Sequence, residues 1–131
     1  MSESNVEVVR ALFDGYAQRG VDGVIDVVHE DVVIEIPPDL SAEPDTYLGH
    51  EGVRRYFAGF EGMLEDVHYE ARELIAEGDN TVVAHAVMGG RGVTSRLDVE
   101  IEAFVLHEVE DGLIKRMRPY ADMAAARAAA R

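Results

Sequence analysis

The chain has 131 residues, 47% apolar and 29% charged, the proportions of one globular domain (residues 1–131) large enough to bury a core. Twelve basic against 26 acidic residues give a net charge of −14, a field that repels polyanions, so no nucleic-acid partner is expected. The absence of cysteine excludes disulfides, thiol catalysis and cysteine-ligated zinc; with no bilayer-length apolar run and no signal-peptide layout in MSESNVEVVR, a cytoplasmic protein without a membrane partner is expected.

Ser4 followed by Glu7 reads as a capping box, and Val6, Val9, Leu12, Phe13 and Tyr16 recur behind it at helical spacing. These residues predict a first helix over 4–19, stopped by Gly20. Asp22 is placed to cap a short second helix with Val24, Ile25 and Val28 on its apolar face and the cationic candidate His29 at its end. VVIEIPP then predicts a strand closed by Pro37 and Pro38. The acidic, proline-rich run from Pro37 to Gly49 has no periodicity, as expected of a loop at the rim of a pocket. A third helix starts near His50 or Glu51 and buries Val53, Tyr56, Phe57 and Phe60.

The second half changes period. Four strand-like runs, beginning at Val67, Asn80, Ser95 and Gly112, are separated by EGDN, GGRG and EDG, which is turn chemistry that makes neighbouring strands antiparallel. The tail MAAARAAAR has high helix propensity but little to bury, so a frayed terminal helix is expected over 124–131 beyond a core of about 5–123. Helices in one half and strands in the other predict an α+β fold: a cone-like, curved, mixed or mainly antiparallel sheet wrapped around three N-terminal helices, with an apolar pocket.

Three stretches, LFDGYAQRGVDGVIDVVHEDVVIEIP, YLGHEGVRRYFAGF and EDGLIKRMRPYAD, resemble the SnoaL-like, ketosteroid-isomerase-like branch of the nuclear transport factor 2-like superfamily over about residues 5–123. The resemblance implies the cone fold, a homodimer through the sheet's outer face, and a deep pocket for a small hydrophobic molecule. The family contains isomerases, polyketide cyclases, hydratases and epoxide hydrolases beside non-catalytic binders, so both an enzyme without a cofactor and a binding or dimerisation module stay open. The base position of the isomerases falls on Ile36 and the oxyanion tyrosine position on Leu12, with Tyr16 one turn later on the same face. Their protonated acid, two residues before a phenylalanine, is matched by Glu102 before Phe104. In an apolar cavity such a carboxyl has its pKa raised and serves as acid, base or hydrogen-bond donor; on a wet strand it is solvated or paired with Arg116 or Arg118.

His85, in phase with Val83 and Val87, offers a neutral imidazole as base or anchor, or a satisfied strand histidine. The candidate catalytic set is therefore Glu102, His85 and Tyr16, with Leu12, Ile36, Tyr56, Phe60, Phe104 and Met117 as pocket walls. The HE pairs at His29, His50 and His107 lack the second histidine of a zinc motif, since Val33, Arg54 and Asp111 stand there, so no metal is expected. His68 carries no special signal. On the last strand Met117 and Pro119 share one phase and Arg116, Arg118, Tyr120 and Asp122 the other; either set is able to face the pocket.

Overall fold

The apolar faces of the N-terminal helices close against one face of a single sheet. In a computed structural model describing residues 2–37 and 45–130, α1 spans Ser2–Arg19, α2 Val21–Ile25, β1 Val28–Glu35, β2 Thr46–Leu48 and α3 Gly49–Glu61. They are followed by β3 Leu64–Glu77, β4 Thr81–Gly92, β5 Asp98–Glu110, β6 Leu113–Tyr120 and α4 Met123–Ala130. The six strands are ordered β2-β1-β6-β5-β4-β3. Only β1 and β6 run parallel; the other neighbours are antiparallel, so the sheet is mixed.

The core lies on the inner face, toward α1–α3. Val9, Leu12, Phe13 and Tyr16 of α1, Val24 of α2 and Val53 and Phe57 of α3 meet Val82, Ala84, Ala86, Met88, Val105, Val109, Ile114 and Met117 of the sheet. α1 and α2 approach so closely that a Cβ on Gly15 would lie 2.6 Å from the carbonyl oxygen of Gly23, and only glycine fits at that crossing. Between β5 and β6, Asp111 (φ 53°) and Gly112 (φ 78°) both take the positive φ of a two-residue hairpin turn.

Four local expectations are corrected. α1 begins at Ser2, so Ser4 lies inside the helix rather than at its cap. His29 belongs to β1, which starts four residues before the expected VVIEIPP run, so it does not end a helix. Thr46–Leu48, inside the expected loop, pairs with β1 as an edge strand; Pro38 and the rest of that loop to 44 lie outside the described residues. The tail is not frayed: α4 packs across β4, β5 and β6 on the outer face and buries Ala126 completely. No described helix is long and apolar enough to cross a membrane.

Candidate functional site

Between α3 and the ends of β1, β5 and β6 lies a cavity of about 590 Å³, a size suited to a small organic molecule. Among the described residues its walls are Ile36, Tyr47, Tyr56, Gly59, Phe60, Met63, Ile101, Ala103 and Pro119, with Glu102 the one carboxylate. The α3 residues come from one helix face: Tyr56 and Phe60 are four apart, with rings 5.2 Å from each other. Tyr56 also meets Tyr47 edge-on at 5.3 Å. Burial, helped by Tyr47, pushes the Tyr56 hydroxyl up to about 12, so it stays protonated as a hydrogen-bond donor.

Glu102 stands at a boundary. Register pairs Phe104 with Tyr120, the last residue of β6, so Glu102 lies just past the point where β6 stops flanking β5. Strand alternation sets Ile101, Ala103, Val105 and His107 on the inner face and Glu100, Glu102, Phe104 and Leu106 on the outer. Glu102 thus borders the cavity while its carboxylate accepts a 2.6 Å hydrogen bond from His85 Nε2–H. Its side chain is 53% exposed, so water rather than an apolar wall surrounds much of it. The His85 ring is largely covered, stacked on Phe104 at 4.6 Å.

The sequence candidates are therefore distributed over both faces. Glu102 and His85 come together, whereas Tyr16 lies across the sheet in the core, stacked 5.2 Å from Phe57 and donating its hydroxyl to Glu61 Oε2 at 3.3 Å. Burial and then Glu61 push the Tyr16 hydroxyl up to about 12. Ile36, Tyr56 and Phe60 line the cavity; Leu12 and Met117 are core residues, and Phe104 faces outward against His85. The last strand's phase is resolved. Pro119 lines the cavity, while on the outer face Arg116 bonds Glu35 (2.5 Å) and Glu108 (3.0 Å) and Arg118 reaches Glu35 at 3.4 Å. These carboxylates raise the Arg116 guanidinium above its ordinary value, so it remains a fixed cation.

One histidine was weighed in the sequence only as part of an HE pair. His107 is fully buried on the inner face, 6.3 Å from the Phe13 ring. Its Nδ1–H donates to the Val82 carbonyl at a long 3.4 Å, and Nε2 has no partner among the described residues. Desolvation lowers its pKa to about 4, so the neutral ring is the one the core holds. Its phase with Val105 and Val109 was the available signal. Among the described residues, no three histidine or acidic side chains converge as a metal site.

A family model of the SnoaL-like domain matches residues 9–117. No curated protein matches the chain. Among solved structures, TerC co-crystallised with polyporic acid superposes with a TM-score of 0.75 at 23% identity, over 93% of this chain and 94% of its own. A putative SnoaL-like polyketide cyclase from a Jannaschia species gives 0.74 at 20% identity over 95% and 89% of the two chains. A protein with a ketosteroid isomerase-like fold from Catenulispora acidiphila, in complex with trimethylamine, gives 0.73 at 18% over 92% and 88%. At these identities the likeness is one of fold. With α1–α3 held on one face of a curved mixed sheet and the family model matching residues 9–117, the chain belongs to the SnoaL-like domain family.

Proposed function

We propose that this protein holds a small hydrophobic molecule in the cavity beneath α3, and that Glu102, supported by His85, moves a proton to or from it without a cofactor. The carrying observation is that an apolar, aromatic cavity has a carboxylate at its border, and that carboxylate is hydrogen-bonded to an imidazole. Such a pair takes a proton from an acidic C–H or O–H of the ligand and returns it at another atom, which is the common step of isomerase, cyclase and hydratase chemistry. The Tyr56 hydroxyl, kept protonated by burial, supplies a donor for a ligand carbonyl at the same wall.

The second reading is a binder without chemistry, favoured by the half-exposed state of Glu102. A panel of uncharged cyclic and aryl ketones separates them, read by thermal shift and by exchange of ligand α-protons into heavy water. The catalytic reading expects compounds that raise Tm, with exchange abolished in Glu102→Gln while the Tm rise is kept. A Tm rise without exchange leaves the binder. If no compound raises Tm, both readings fall. We further propose that two copies pair through the outer face, so light scattering should return the mass of two chains.

A further inference from the structure

Large apolar side chains left in water are scattered singly on most proteins; a continuous row of them joined to a cavity is a binding surface. Here Leu48, Met63, Val93, Leu97 and Ile101 are the exposed large hydrophobics among the described residues, and four of these five gather at one place. Met63 and Ile101 are themselves walls of the cavity. Val93 N–H donates to the Met63 carbonyl at 3.0 Å, which brings the β4–β5 hairpin beside the end of α3. Gly92 N–H donates to the Leu97 carbonyl at 2.8 Å, which sets Leu97 next to the same corner.

The row follows from strand chemistry. Along β5, Ala103, Ile101 and Val99 occupy one phase, and Leu97, immediately before the strand, is next in it. Three two-residue steps make a track of about 20 Å from the cavity wall to the hairpin. Ile101 and Leu97 are exposed along it, with Ala103 and Val99 partly buried between them, because β6 has ended opposite Phe104 and α3 has ended at Glu61. Leu97 is 68% exposed although nothing local calls for an apolar residue there.

We propose that the cavity's ligand is an uncharged amphiphile whose apolar tail leaves the cavity along Ala103, Ile101, Val99 and Leu97, flanked by Met63 and Val93; this rests on the ligand-binding reading above. Continuity through shared wall residues identifies the occupant as the cavity's own ligand. The head is uncharged because, among the described residues, no cationic side chain lines the cavity and the ionic group at its border is a carboxylate. A carboxylate head would leave water for a wall of Tyr56, Phe60, Met63 and Ile101 that offers no cation among the described residues, with Glu102 repelling it from the border.

The test is binding of 1-phenylalkan-1-ones of increasing alkyl length to the full chain, compared with a Val93→Ser/Leu97→Ser variant whose fold is checked by circular dichroism. Affinity should rise about threefold to fourfold per added methylene, as for hydrocarbon leaving water. In the variant the rise should flatten for the longer tails only, with short ketones bound as before. A 4-alkanoylbenzoic acid of matched tail length, which carries its carboxylate on the head, should bind at least about tenfold more weakly, following the cost of burying an unpaired charge. The proposal is overturned if affinity does not grow with length, if the variant weakens short and long ketones alike, or if the acid binds as well. It is also overturned if the variant changes the mass of the assembly instead, since the row would then be an interface between copies. Failure of short and long ketones together removes the cavity reading itself, whereas short ketones binding with no length dependence removes only this inference.

Discussion

The two faces of β5 differ in what they ask of a side chain. On the inner face Val105, His107 and Val109 are buried against helices, and even an imidazole must stay neutral. On the outer face Glu100, Glu102 and Glu108 contact Arg72, His85 and Arg116 while remaining open to water. The inner face therefore carries stability and the outer face carries charge. The cavity, with Glu102 at its border, lies where the strand loses its β6 neighbour and the two regimes meet.

The largest effect that sharpens this contrast belongs to the inner face. Phe57 is essentially fully buried, and Phe57→Ala should cost about 3–5 kcal/mol in urea unfolding. A loss under about 1 kcal/mol would break the assignment of the core to this face.

His107 gives the next effect, through pH. Its folded-state pKa of about 4 lies below the ordinary 6.5, so on acidification the unfolded chain takes up the proton first. The contribution is complete above 6.5 and is lost as pH falls toward 4, by up to about 3 kcal/mol for a shift of this direction and size. His107→Leu should flatten that part of the stability–pH curve, measured as urea midpoints at neutral and acidic pH, without a loss at neutral pH. An unchanged slope would mean that water reaches the ring.

On the outer face the expected effects shrink. Glu35→Gln removes the carboxylate shared by Arg116 and Arg118, all partly exposed, and should cost no more than about 1 kcal/mol, less in molar salt. Glu102→Gln should change stability by no more than about 0.5 kcal/mol, while its proposed effect on proton exchange is large. A severe stability loss from either would show that charges on this face hold the fold, and would collapse the distinction.

Most of the fold was legible because periodicity alone separates helices from strands. The change from the spacing of Val9, Leu12, Phe13 and Tyr16 to the alternation of LDVEIEA marks the α-to-β boundary. β2 was hidden because three residues carry no period, and its pairing with β1 is set by tertiary contact. The direction of Glu102 was harder. Phe104 and Leu106 share its phase, which made that phase look like the one facing a cavity. Their apolar character has another cause: Phe104 is covered by His85, and Leu106 is buried on a face that α4 crosses. Because MAAARAAAR has no large apolar side chain after Met123, it gave little hint that it packs on the sheet. Without α4, two outward apolar residues had no partner but the pocket.

The central claim is that ligand enters on the side of α3 and the inner row of β5, with Glu102 at its edge. The most direct measurement is a titration of the ¹⁵N-labelled protein with a short aryl ketone, followed by amide chemical shifts. The account predicts saturable shifts concentrated at Tyr56, Phe60, Met63 and Ile101 to Ala103, with Arg116 and Arg118 unmoved. Shifts confined to the outer-face arginines and α4, or no saturable shift at all, would contradict it.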